Sequence, residues 1–186
     1  MKNLAKTLCV VCLFATQTFA KSPAAEVPQA QPQAQQADDC TYDFPNAKSA
    51  LDEKSKDFLI IKKVVRNNKE KVLTQKATFK KDKVKVEFTT GGCAHYGYSF
   101  TYSNLGQPEF TADQAFKRAI ELLKATPTTV EGQALTKTLI ENLESAAMNK
   151  IFRPPNATYD VPCGDAQCNL DASVKGQLKA SYSFAL

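Results

Sequence analysis

The sequence has no tryptophan, a single histidine and only seven glycines in 186 residues. One histidine cannot build a histidine-rich metal site. The few glycines form neither a phosphate-cradling loop nor the G-x-S-x-G turn of a serine hydrolase. No run of apolar residues reaches the roughly 20 needed to span a bilayer. Of the six cysteines, Cys9 and Cys12 lie in the first 20 residues, and the other four include only one close pair, Cys163 and Cys168, so the two-pair spacing of a structural zinc site is missing beyond residue 20. Asp38-Asp39 and Asp52-Glu53 are neighbours in sequence and read as solvated loop charges, not as opposed catalytic carboxylates. These absences remove the commonest signatures of metal, phosphate and acyl-transfer chemistry and point away from an enzyme. Neither a cofactor nor a metal is expected.

What is present begins with an export signal. Lys2 and Lys6 form a positive start, Leu8 to Ala15 is a short uncharged apolar run, and Thr18-Phe19-Ala20 offers small residues where a signal peptidase reads. Residues 1–20 are therefore expected to be a cleaved signal peptide, with a periplasmic or secreted mature chain that has no transmembrane segment. A lipoprotein is disfavoured because Val11, not a small residue, precedes Cys12. Losing Lys2 and Lys6 takes the formal charge from +5 to +3. Four cysteines remain, Cys40, Cys93, Cys163 and Cys168. In an oxidising compartment they are expected to form two disulfides. Three pairings are possible. Cys163 with Cys168 and Cys40 with Cys93 is favoured, the first because Gly164 and Asp165 can turn the short loop.

Residues 21–39 are mostly Ala, Gln and Pro, with a few charges and one valine. Such a segment cannot bury enough apolar surface to offset its ordering entropy, and it reads as a disordered linker. Residues 40–186 then suit one globular domain.

Within it, Phe58 to Arg66 is dense in Ile and Val, and Asn67-Asn68 can follow it as a turn. Lys71 to Phe79 is a weaker strand. Val84, Val86 and Phe88 alternate with Lys83, Lys85 and Glu87, the period of a half-buried strand. Gly91-Gly92 makes the next turn, and His95 to Ser103 a fourth strand. Two helices follow. Thr111 and Gln114 form a capping box ahead of Ala115, Phe116, Ala119, Ile120 and Leu123, and Pro127 ends that helix. Thr128 and Glu131 repeat the box ahead of Leu135, Leu139, Leu143, Ala147 and Ile151, with Arg153-Pro154-Pro155 as the stop. Val174 to Phe184 alternates cleanly and forms the last strand. The expected fold is α+β: a four-stranded antiparallel meander, two helices packed on it, and a C-terminal strand.

Three features are candidates for function. Tyr96, Tyr98, Phe100 and Tyr102 share one face of the fourth strand. They could form a sugar or peptide platform, although in a chain without tryptophan they are more simply core. Cys93 and His95 share the other face and invite a nucleophilic pair. Oxidation of the thiol, and the want of a third residue to orient the imidazole, argue against it. The third feature is charge. Lys48 to Lys85 holds 13 basic and 5 acidic residues. Lys81, Lys83 and Lys85 alternate, so they are expected to project together from the third strand, with Lys62, Lys63 and Arg66 extending the patch. Such a field steers anionic partners, although lysines also protect sheets from aggregation. Lys62, Lys81, Lys83 and Lys85 are the candidate contacts for a protein or an anionic envelope component. An exported chain with no other recognition residues gives no reason to expect nucleic acid.

The functional expectation is an exported, disulfide-containing binding module, such as an inhibitor or immunity-type protein acting on an envelope-active partner. A structural or assembly accessory of the envelope is the alternative, and a small hydrolase of unidentified mechanism a further one.

Overall fold

Period-two alternation and two capped amphipathic stretches produce a mixed α+β structure, an antiparallel sheet with two helices on one face. The computed structural model describes residues 44–92, 95–149, 158–172 and 175–185, with the backbone alone of residues 95 and 185. The predicted signal and linker, Cys40, Cys93, Val174 and the Arg153-Pro154-Pro155 stop lie outside the described residues.

The elements in chain order are β1 (Phe58–Ile61), β2 (Val65–Asn67), β3 (Val72–Phe79), β4 (Lys85–Gly91), β5 (His95–Ser103), α1 (Ala112–Ala125), α2 (Val130–Asn149), β6 (Thr158–Cys163), β7 (Ala166–Asp171) and β8 (Leu178–Ala185). They form one sheet in the order β1-β3-β4-β5-β8-β7-β6, with β2 pairing β3 beyond β1. The α+β class is as expected, but the sheet has eight strands instead of a four-stranded meander plus one. Two differences account for this. The predicted first strand is broken at residues 62–64 into β1 and β2. The segment after α2 folds into the β6–β7 hairpin, turning at Gly164-Asp165. Pro162 masked that hairpin in the sequence. It is tolerated because β6 is an edge strand, where a missing N–H breaks no inner ladder. The strand that follows the hairpin, β8, pairs with β7 on one side and with β5 on the other. It inserts beside β5, so it lies inside the sheet.

One sheet face is apolar. Leu73, Ala77 and Phe79 of β3, Val86 and Phe88 of β4, and Tyr98, Phe100 and Tyr102 of β5 are buried there, with Leu178 and Ala180 of β8, Leu170 of β7 and Tyr159 of β6. The helices pack against this face through Ala115, Phe116, Ala119 and Leu123 of α1 and Leu139, Leu143 and Ala146 of α2. Phe116 and Tyr159 meet at 5.5 Å between ring centres, with their planes tilted by 53°. Burying side chains of this size contributes about 1.5–3 kcal/mol each, so the aromatic row of β5 is a main support of the fold.

The first helix begins as expected. Thr111 Oγ1 accepts from the Gln114 N–H, and Gln114 Oε1 accepts from the Thr111 N–H. The second begins one residue later than predicted. Thr129, not Thr128, caps α2, its Oγ1 accepting from the Gly132 N–H at 3.1 Å. Thr128 instead bridges Leu51. The buried stripe drifts accordingly, through Gly132, Thr136, Leu139, Leu143 and Ala146, because a helix repeats every 3.6 residues and not every four. Gly132 is required here by close approach: a Cβ would collide with the Ala50 carbonyl oxygen. The Thr129 N–H donates to that same carbonyl at 2.8 Å. No helix among the described residues is long and apolar enough to cross a membrane.

Candidate anion-binding groove

The second sheet face is polar, and its composition follows from strand register. Thr78, Lys85 and Ser103 align across β3, β4 and β5, and Lys76, Glu87 and Thr101 form the next row. Ile60 aligns with Thr78. The Lys62 N–H donates to the Lys76 carbonyl at 2.8 Å, which carries Lys62 onto the Lys76 row. Neighbouring strands lie about 4.8 Å apart, so residues distant in sequence meet. The result is a groove of about 510 Å³ lined by Lys62, Lys76 and Lys85, by Thr101 and Ser103 of β5, and by Gln177.

Its electrostatics are unbalanced. Lys76 Nζ sits 2.6 Å from Glu87 Oε2 and is neutralised by it. Lys62 and Lys85 make no ion pair with any described residue, and both are exposed. Two unpaired ammonium groups and several hydroxyl donors around one depression can hold a carboxylate, sulfate or phosphate. The one carboxylate in the groove is engaged by Lys76, so the groove offers an anion donors and positive charge, with no free base beside them.

Of the four lysines singled out in the sequence, Lys62 and Lys85 meet in this groove. Lys81 and Lys83 do not. Strand β4 starts only at Lys85, and the residues before it belong to the β3–β4 turn. Lys83 takes a left-handed φ of 60°, and the Val84 N–H bonds back to Asp82 Oδ1 at 3.1 Å. These two features break the alternation that the sequence suggested. Lys83 Nζ is turned onto the Lys80 carbonyl. Lys81 lines a separate depression, with Asp82, Arg118 and Glu121. Arg66 is committed elsewhere: its guanidinium donates to the carbonyls of Phe44 and Ala47 and lies over the Phe44 ring. Lys76, Thr101, Ser103 and Gln177 were missed in the sequence because cross-strand register, which brings them together, is not encoded in any local pattern.

Tyr98, Phe100 and Tyr102 are core side chains and not a binding platform, each at most 5% exposed. Tyr98 donates its hydroxyl to the Leu135 carbonyl at 3.2 Å. Tyr102 Oη lies 2.7 Å from Thr126 Oγ1, which donates to the Leu122 carbonyl. Burial holds both phenols well above their ordinary range. Tyr96 is half-buried, 5.4 Å from the ring of Phe184.

Cys163 and Cys168 form the expected disulfide, with Cα atoms 5.9 Å apart across the β6–β7 hairpin. The predicted Cys40–Cys93 bridge and the Cys93–His95 pair fall outside the described residues and side chains. Among the described residues no three His, Cys, Asp or Glu side chains cluster as metal ligands. No family model, curated protein or solved structure matches this chain.

Proposed function

We propose that the chain is an exported binding module that takes an anionic partner at the groove between β1, β3, β4 and β5. Within that class, an inhibitor or immunity-type protein acting on an envelope-active partner is the preferred form. One observation carries the reading: Lys62, in the break after β1, and Lys85, at the start of β4, come to one depression and neither is neutralised there. Sheets do carry lysines for solubility alone, but an isolated solubility lysine needs no concave setting or neighbouring hydroxyl donors. The Cys163–Cys168 disulfide supports an oxidising compartment. The signal-like first 20 residues support export.

The test is immobilised capture from an extracytoplasmic extract, comparing the wild type with Lys62→Glu/Lys85→Glu. The wild type should retain one stoichiometric component that elutes with salt, and the double variant should lose it. Equal recovery on both would remove the groove from the reading.

A further inference from the structure

Leu59, Ile60 and Val65, which are 47%, 54% and 65% exposed, are three of the five large apolar side chains most open to solvent among the described residues. All three lie on one edge of the sheet. β1 and β2 pair with β3, and no other described strand pairs with either of them. An exposed apolar edge of this kind is a template for another chain. Its usual safeguards are only half in place. The edge is short and broken at residues 62–64, with Lys62 and Lys63 at the break, yet β1 before the break is wholly apolar with Leu59 and Ile60 exposed, and an exposed Val65 opens β2 after it.

Register says what such a chain would meet. Ile60 aligns with Thr78 and Val65 with Thr74, both on the polar sheet face. Lys62 joins Lys76 on that face. Along the edge, the polar face therefore reads apolar, cationic, apolar: Ile60, Lys62, Val65. Side chains of an extended chain alternate between faces, so one face of an added strand presents every second residue. The complementary face alternates apolar and acidic side chains, and its acidic member falls beside the groove that holds Lys62 and Lys85.

We propose that an extended acidic and apolar segment of a partner protein adds to the β1–β2 edge as a further strand, with its carboxylate over Lys62. This rests on the anion-binding reading of the groove and specifies the partner's form. A second copy of this chain is the poorer occupant. Antiparallel pairing of the whole edge, residues 58–67, with its own copy centres on the break and sets Lys62 against Lys63, like charges that are destabilising across strands. The stretch from Lys48 to Lys85, with 13 basic and 5 acidic residues, repels itself over a wider area.

The experiment is an amide NMR titration of nitrogen-15-labelled protein with three probes. These are a blocked peptide alternating valine and glutamate, the same peptide with prolines replacing the inner valines, and dextran sulfate. The alternating peptide should shift amides of residues 58–67 and slow their hydrogen exchange. The proline peptide keeps the charge but loses main-chain donors, so it should bind at least ~10-fold more weakly, a difference of about 1.4 kcal/mol. Lys62→Glu should weaken the alternating peptide by a similar factor. Equal binding of the two peptides, or shifts at Lys62 and Lys85 without slowed exchange in β1 and β2, would overturn strand addition. A response to dextran sulfate at those lysines would then leave the groove reading intact. Silence from all three probes at Lys62 and Lys85 would overturn both.

Discussion

The side-chain amide of Gln75 donates to the main-chain carbonyl of Lys62 at 3.1 Å. The same nitrogen donates to Glu53 Oε1 at 2.6 Å, although Gln75 is only 1% exposed and sits in a row of core side chains. A glutamine at an apolar position of β3 thus replaces the ladder bond that is lost where the edge breaks between β1 and β2. It holds Lys62 at the groove. Gln75→Ala should cost roughly 1–3 kcal/mol, since it leaves the Lys62 carbonyl and Glu53 without their donor. Hydrogen exchange should speed up at residues 62–64 more than in β4 or β5. Uniform acceleration across the sheet would show that Gln75 supports the core generally and does not fix the break.

Tyr102 gives a pH signature. Its phenol is buried and held above the ordinary value of 10.0. In the range above pH 10 the unfolded chain has released that proton and the folded one has not, so unfolding is favoured as pH rises. The stability contribution is complete below about pH 10 and is lost as pH climbs toward the folded value. Tyr98 adds in the same direction. Tyr102→Phe should lower stability at neutral pH by about 1 kcal/mol, through loss of the Thr126 hydrogen bond. It should also flatten the alkaline decline measured by denaturant titration between pH 8 and about 11. An unchanged alkaline slope would mean that other groups cause it.

Gly132 tests how the segment before β1 is strapped to the helices. An added methyl meets the Ala50 carbonyl oxygen, a main-chain atom that cannot rotate away. Alanine favours a helix interior by up to about 1 kcal/mol, yet here Gly132→Ala should destabilise by roughly 1–3 kcal/mol through overpacking. A raised thermal midpoint would show that the 49–52 segment yields easily.

The sequence was informative where the pattern is local. The Thr111–Gln114 cap, the β4 and β5 alternation and the short disulfide loop are all set by residues within a few positions of one another. The eight-stranded sheet was not legible for the opposite reason. Its closing step inserts β8 between β5 and β7, a long-range choice with no local mark. At the break at residues 62–64 the Lys62 carbonyl is bonded by Gln75 from across the ladder, while Phe58 to Arg66 by composition reads as one strand. The candidate site divides in the same way. A basic region is visible as composition, and Lys62 and Lys85 were singled out from it. That Lys81 and Lys83 leave the strand follows from the Asp82 turn and one left-handed residue. That Lys76 is cancelled by Glu87 follows from register.

The central claim is that two particular lysines, and not basic character in general, form the contact. Binding of dextran sulfate, measured by isothermal titration at low and physiological salt, separates these on equal charge. Lys62→Glu/Lys85→Glu and Lys81→Glu/Lys83→Glu each change net charge by the same amount. Long-range attraction, screened within about 8 Å at physiological salt, should weaken alike in both. The groove account predicts that the Lys62/Lys85 variant loses at least ~10-fold more affinity than the Lys81/Lys83 variant, and that the gap persists at physiological salt, about 1.4 kcal/mol or more. Equal losses in the two variants, vanishing together as salt is raised, would contradict it.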